Sequence, residues 1–382
     1  MTRYLARDFM KHVVHIIRAA RPTASQLAIL VVLSLVVFRV GGARQPASPP
    51  SVIVITIDGL RWQEFFGGAD RGYFKRDDKG SGSEPERRFW RDTPEERRAA
   101  LMPFVWNTLA EQGQIFGDAG AGSTARLTNG LFFSYPGYNE MFAGVADPRV
   151  DSNDKVPNPN VTVLEWLNRR PGFAGRVAAF GAWDVLPSIL NVDRSGVRVG
   201  SGWSVIPGAA TERERAINEL AADLPRFWNY GPLDAPVVYA ALEHLRTRTP
   251  GVLYVMLGEG DEWAHQGRYD LYLDATARAD RFIERIWTAV QAMPAYQGRT
   301  SLLVTTDHGR GSTTKDWMNH GRDVKAAERT WIAVLGPDVP GLGVRRGVNV
   351  TTSQVAATIA SLAGEDFNAA VPAAARPLPL RP

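Results

Sequence analysis

Ser301-Leu302-Leu303-Val304-Thr305-Thr306-Asp307-His308-Gly309-Arg310-Gly311 reads as a buried strand that ends in reactive side chains. Leu302, Leu303 and Val304 form the apolar run. A carboxylate and an imidazole follow side by side, and then two glycines. In open α/β sheets, ligands bind just beyond the carboxyl ends of the strands. Carboxylate and imidazole are both good ligands for zinc-like metals. A strand ending in a polar turn would look the same if it stood alone. Two other apolar runs of this chain end in the same way.

The first is Val52-Ile-Val-Ile-Thr-Ile57, a β-branched run that leads into Asp58-Gly59. Such continuous apolar runs suit strands covered on both faces. The second is Gly251 to Leu257, which leads into Gly258-Glu-Gly-Asp261-Glu-Trp-Ala-His265. Asp261 and His265 are four apart, so one helical turn sets them on one face, a spacing that suits two ligands of one ion. Helices and strands alternate around these runs. Thr93-Pro94-Glu95-Glu96 is a capping box opening a helix that carries Leu101, Phe104, Val105, Leu109 and Ala110. Helices are expected at Thr162–Arg169, Tyr269–Ala292 and Ser353–Leu362, and strands at Arg176–Phe180 and Trp331–Leu335. The alternation predicts an α/β fold, a doubly wound and mostly parallel sheet with helices on both faces. A single catalytic domain is expected over 51–368. It has a solvated, charged insertion at about 71–98 and a loose Ala/Pro-rich tail at 369–382.

The chain has 382 residues, 45% hydrophobic and 22% charged, ordinary values for a globular protein. Its net charge of +4 is unevenly spread. Residues 1–43 hold six Lys/Arg and one acid, and removing them leaves 38 basic and 39 acidic residues, a net −1. The basic balance therefore belongs to the N-terminus and does not point to specific nucleic-acid binding. A basic stretch to Arg21 precedes the apolar run Leu27 to Phe38, and Gly41-Gly42-Ala43 offers small residues suited to cleavage. Residues 1–43 are read as an export signal, with an uncleaved membrane anchor as the alternative, and 44–50 as a linker. The catalytic domain is expected in the periplasm or at the outer face of the cytoplasmic membrane, touching the membrane only through 1–43. The absence of cysteine excludes disulfides, thiolate metal sites and a Cys nucleophile.

Phe132-Phe133-Ser134-Tyr-Pro-Gly-Tyr138 places a hydroxyl at the start of a helix, where backbone N–H groups favour an anion or an alkoxide. An N-cap serine is the ordinary alternative. Of six histidines, His12 and His15 lie in the N-terminal segment and His244 on an expected helix. His265, His308 and His320 all lie in the stretches above or in Trp317-Met-Asn-His320-Gly321. With Asp58, Asp261 and Asp307 they can give two metal ions three protein ligands each, leaving an open position on each.

In this chain order the residues resemble the alkaline phosphatase superfamily, whose members hold two metals, usually zinc, on a doubly wound sheet. The resemblance spans Asp58 to His320. It implies one ion on Asp58, Asp307 and His308 with the Ser134 hydroxyl, and another on Asp261, His265 and His320. It also implies Ser134 as nucleophile. Within the superfamily, the sulfatase pattern C/S-x-P-x-R is broken by Tyr138. The phosphoglycerate mutase branch is similar in metal ligands but has a large inserted domain without evident room here. The Ser-Tyr-Pro-Gly segment is similar to the Thr-Phe-Pro-Asn segment of the nucleotide pyrophosphatase/phosphodiesterase branch. That branch holds the phosphoryl oxygen with a downstream Asn, which Asn153 matches, with Lys155 as rival. No Arg matches the oxyanion ligand of the monoesterase branch.

The resemblance thus implies a metal-dependent hydrolase of phosphate esters, with a phosphoseryl intermediate and a phosphorylated small molecule as substrate. Phosphodiesters or nucleotide-like pyrophosphates are favoured over monoesters, because Asn153 is a neutral donor. The three carboxylates carry −3 and two divalent ions +4, so the loaded site attracts phosphate. Trp183 and Trp203, in the Gly- and Pro-rich stretch 183–210, could wall the pocket. The alternative is an exported binding domain that has lost turnover.

Overall fold

The computed structural model describes residues 49–74 and 83–381. Eleven strands are formed among them: β1 Ser51–Ile57, β2 Gln114–Phe116, β3 Thr124–Arg126, β4 Val177–Gly181, β5 Arg198–Ser201, β6 Val252–Leu257, β7 Thr300–Thr305, β8 Arg329–Thr330, β9 Ile332–Leu335, β10 Gly343–Val344 and β11 Asn349–Thr351. Eight make one sheet in the order β10-β2-β9-β7-β1-β6-β4-β5, and β11-β3-β8 make a second. The three apolar runs that end in Asp58, Asp261 and Asp307 are therefore neighbours at the centre. β1 pairs in parallel with β6 (Ile57 opposite Leu257) and with β7 (Thr56 opposite Thr305). Their carboxyl ends open at one level, where the ligand-binding crevice of such sheets lies.

Both faces of the sheet are covered, as expected. Ile53, Ile55 and Ile57 face one core, with Phe65, Val238, Leu245, Leu273 and Phe282 of the helices Trp62–Gly67, Asp234–Arg248 and Tyr269–Ala292. Val52 and Val54 face the other, with Phe142, Leu164 and Ile359 of the helices Ser134–Ala143, Val163–Asn168 and Gln354–Leu362. The alternation of side chains along a strand produces this two-sided burial. β9 lies inside the sheet, antiparallel to both β7 and β2.

The helix opened by Thr93 does have its capping box, but it ends at Leu101 and does not run on to Ala110. Pro103 is the cause: the residue before proline avoids helical angles, and Met102 has φ −133° and ψ 70°. A new helical stretch starts at Pro103 and is capped from a distance. The Asp280 carboxylate, on the helix Tyr269–Ala292, accepts the N–H groups of Phe104 and Val105, both at 2.9 Å. Burial, only partly opposed by these two bonds, raises the Asp280 carboxyl to about 6. Asp280→Ala leaves two buried N–H groups unpaired and should cost about 2–3 kcal/mol in urea unfolding. A loss of under about 0.5 kcal/mol would show that these groups find other partners.

Within the charged stretch 71–98, Ser83 caps a helix Glu84–Phe89, and Phe89 is buried. The tail from Ala369, expected to be loose, is packed instead. Ala374 and Leu378 are buried, the N–H of Leu378 donates to Thr358 Oγ1 at 2.9 Å, and Gln114 Nε2 donates to Leu380 O at 2.7 Å. Its prolines leave few N–H groups to satisfy, so an extended segment can lie against the domain. The readings of 1–43, of the linker to Ser48 and of 75–82 fall outside the described residues. Among the described residues no helix is long and apolar enough to cross a membrane.

Candidate active site

His308, fully buried, sits at the centre of the cluster. Its Nε2 lies 3.4 Å from Asp58 Oδ1, 3.6 Å from Asp307 Oδ2, 3.7 Å from Asp261 Oδ1 and 3.3 Å from Ser134 Oγ. His265 Nε2 lies 3.1 Å from Asp261 Oδ2 and 3.0 Å from His320 Nε2, and His320 Nε2 lies 3.9 Å from Asp261 Oδ1. The seven side chains expected from the sequence therefore converge. Asp58, Asp307 and His308 form one group of mutually close ligand atoms, and Asp261, His308 and His320 another. In the second group His308 stands where His265 was expected, while His265 reaches Asp261 from the solvent side.

Local sequence sets this geometry. Tyr138 Oη donates to Asp58 Oδ2 at 3.0 Å, and the Gly59 N–H donates to Asp307 Oδ1 at 3.1 Å. Gly59 has φ +60°, and a Cβ there would stand 2.5 Å from Asp261 Oδ1, so both angle and space require glycine. A Cβ at Gly137 would stand 2.4 Å from Asp307 O, so glycine lets the Ser134 helix seat on the end of β7. Just before the serine, Phe132 has φ +56°, a strained value for a bulky residue. Asn129 Oδ1 holds that turn by accepting the N–H groups of Leu131 at 2.8 Å and Phe132 at 3.0 Å. The Glu140 carboxylate in turn accepts the N–H groups of Thr128 and Asn129. The N-cap of this helix is Phe133, not Ser134, and the Ser134 hydroxyl is turned to His308.

The donor set fits a divalent cation. His308 Nδ1 is 2.9 Å from Gly309 O, which can only accept, so the proton sits on Nδ1 and Nε2 offers a lone pair. Asp58 Oδ1, Asp307 Oδ2 and His320 Nδ1 are buried without a hydrogen-bond partner. Burial, and then the charge of Asp261, raises Asp58; burial, and then Asp58, raises Asp307. Burial and the neighbouring His308 lower His320 well below the usual imidazole range. Burial also acts to raise Asp261, but Arg310, His265 and His320 outweigh it and hold that carboxyl well below its ordinary value. Crowded carboxylates and an imidazole held neutral, with unmet acceptors, are what a metal ion satisfies.

Arg310 is the residue that the sequence reading missed. It is fully buried, donates from Nη2 to the carboxylate and the backbone oxygen of Asp261, and from Nη1 to Met318 O. One guanidinium thus ties the segment bearing Asp261 and His265 to the loop bearing His320, from its own position two residues after His308. Its charge changes the sum: three carboxylates and Arg310 give −2, and two divalent ions bring the site to +2. Partners that orient a ligand typically cost about 10–100-fold in metal affinity when lost. Arg310→Met should weaken zinc binding by about that factor in calorimetry. Unchanged affinity would show that Asp261 holds its place unaided.

A cavity of about 300 Å³ opens over the cluster, and Asp58, Ser134, Asp261, His265 and His320 are among its lining residues. Asn153 also lines it, and its Oδ1 accepts the Tyr135 N–H at 2.9 Å. The amide NH₂ is therefore the end it can offer a ligand. Lys155 is not among the lining residues. Its ammonium is paired with Asp184 at 2.6 Å, so the reading of Lys155 as a phosphoryl ligand is corrected. Trp183 lines the cavity as expected, but Trp203 does not: its Nε1 donates to Trp228 O at 3.3 Å. Trp228 and Tyr230 line it instead.

No protein-family model and no curated protein matches the chain. Solved structures do. A phosphonate monoester hydrolase of Agrobacterium radiobacter is 14% identical, with 87% of this chain and 79% of that one covered and a TM-score of 0.51. The lipoteichoic acid synthase LtaP from Listeria monocytogenes is 8% identical, covering 84% and 73%, with a TM-score of 0.51. A protein in the alkaline phosphatase superfamily from Vibrio parahaemolyticus is 11% identical, covering 84% and 67%, with a TM-score of 0.50. At these identities the likeness is one of fold. The chain has the fold of the alkaline phosphatase superfamily, and its Asp/His cluster stands at the carboxyl ends of the three central strands.

Proposed function

We propose that the chain is a metal-dependent hydrolase of phosphate esters working through a phosphoseryl intermediate. The observation that carries this reading is the Ser134 hydroxyl, 3.3 Å from His308 Nε2 inside a cluster of three carboxylates. Asp58, Asp307 and His308 would hold one divalent ion, and Asp261, His265 and His320 the other, with zinc favoured by the imidazoles. When bound, the ions lower the pKa of the Ser134 hydroxyl and neutralise phosphoryl oxygens. Ser134 Oγ attacks phosphorus; the Oγ–P bond forms as the bond to the leaving alcohol oxygen breaks. The Asn153 amide donates to a non-bridging oxygen, and Tyr138 and Gly59 keep Asp58 and Asp307 in place. Water then attacks phosphorus, releasing phosphate or a phosphomonoester and restoring the serine.

The neutral Asn153 donor, with Lys155 held away by Asp184, favours diesters over monoesters. It agrees with the Ser-Tyr-Pro-Gly similarity to the phosphodiesterase branch. We also propose export of the catalytic domain, to be checked by mass spectrometry of the mature N-terminus.

The test is hydrolysis of p-nitrophenyl phosphate and bis(p-nitrophenyl) phosphate by protein stripped of metal and reloaded with zinc. Zinc-dependent turnover of both is expected, with the diester favoured. Full zinc occupancy without turnover would favour the non-catalytic binding domain.

A further inference from the structure

The helices Glu212–Asp223, Asp234–Arg248 and Tyr269–Ala292 enclose a groove of about 630 Å³ that shares no lining residue with the cavity over Ser134. Sequence spacing builds it. Arg213, Ile217, Leu220 and Leu224 recur at steps of four, three and four, and Pro236, Tyr239, Glu243 and Arg246 at three, four and three. Each set therefore forms one stripe along its helix. Ile217, Pro236 and Leu242 are buried beneath the groove, whereas Leu220 is 67% exposed and Tyr239 44%.

The charges gather toward one end. Arg213, at the start of its helix, pairs at 2.8 Å with Glu243, near the end of the next, so these two helices run antiparallel. Arg246, 3.8 Å from the same carboxylate, joins them there. Leu224, Ala235 and Pro236 line the groove from the opposite ends of the two helices. Arg285 donates from Nη1 to Tyr239 Oη at 2.6 Å, its guanidinium 5.3 Å from the ring centre. Three guanidiniums against one carboxylate leave the lining residues at +2.

A contiguous apolar groove facing water marks a binding site, and charge and size decide its occupant. A second copy of this chain, docking through the same surface, would bring +2 against +2. An α-helix with its side chains is about 10–12 Å across, and one turn would fill most of the volume. A bilayer presents a broad flat face, whereas this groove is concave and of the size of sites for one small ligand, about 300–1,000 Å³. Apolar walls leading to unneutralised guanidiniums match an alkyl chain that ends in an anion, and arginine is suited to carboxylate.

We propose that the groove binds one molecule of a free long-chain carboxylic acid, its alkyl chain along Ile217, Leu220, Tyr239 and Leu242 and its carboxylate among Arg213, Arg246 and Arg285.

Calorimetry of the full chain with dodecanoate and dodecyltrimethylammonium, below their micelle concentrations, compares one alkyl chain under opposite charges. Dodecanoate should bind at one site, at least about tenfold tighter than the cation and at least about tenfold tighter than octanoate, which is shorter by four CH₂ groups. The double variant Arg246→Gln/Arg285→Gln should bring anion and cation to near parity, and Leu220→Glu should abolish dodecanoate binding. All three side chains are exposed, so the fold tolerates the changes. The apolar run Leu27 to Phe38 is the same in every variant, so dodecanoate binding that survives both sets of changes overturns the proposal. Equal affinity for the two charges overturns it as well. Capture by phosphatidylglycerol vesicles without dodecanoate binding overturns it in favour of a bilayer surface, and a dimer dissolved by Leu220→Glu in favour of self-association.

Discussion

Ser134→Ala is expected to lower kcat/KM for phosphate esters by at least about 10⁴-fold, the scale on which nucleophile removal acts in hydrolases. Zinc affinity should change far less, because Asp58, Asp307 and His308 remain. The structural reasons are local. Ser134 is buried, is the first residue of its helix, and stands two residues after a strained Phe132 that Asn129 holds in place. Its Oγ lies 3.3 Å from His308 Nε2, inside the carboxylate cluster. Ser134→Thr keeps a hydroxyl and should retain measurable turnover. An alanine variant within about tenfold of wild type would mean that water attacks directly and that Ser134 only lines the site.

Asp307→Asn should separate metal chemistry from folding. The substitution keeps an acceptor for the Gly59 N–H and removes one of three crowded charges. Asp307 is fully buried, with Oδ2 unpaired, and Asp58 is among the groups that disfavour its charge. Metal-free variant protein should therefore melt no lower than metal-free wild type, and preferably higher. Zinc at about a thousand times Kd should stabilise wild type by about 4 kcal/mol, and the variant should lose most of that gain. Activity should fall about 10³-fold, the several kcal/mol that a catalytic metal supplies. A variant that keeps the zinc-induced shift would remove Asp307 from the ligand set.

The fold was legible because three apolar runs each end in a carboxylate at or near a glycine turn, the pattern of central strands in a parallel sheet. Their adjacency as β7-β1-β6 is what brings Asp58, Asp261 and Asp307 together. The helix Tyr269–Ala292 has the bounds its periodicity predicts, since a long amphipathic pattern outweighs local exceptions. The break at Pro103 was readable too, yet Leu101, Phe104 and Val105 keep helical spacing across it. Arg310 was hidden for a different reason. Arginine after a strand is usually solvated, and only the fold reveals that this one points inward to Asp261 and Met318. Lys155 shows the converse: proximity in sequence to Asn153 suggested a role, but Asp184, distant in sequence, captures it. Trp228 and Tyr230 lie in a stretch with no motif, so their place beside Ser134 follows from tertiary packing alone.

The most direct test of the account is to trap the covalent species. Zinc-loaded protein is mixed with bis(p-nitrophenyl) phosphate, quenched in acid within one turnover, digested and analysed by mass spectrometry. The account predicts that the peptide carrying Ser134 gains the mass of the phosphoryl-containing group and that Ser134→Ala shows no adduct. Product release in the first turnover with no adduct on any serine would contradict it.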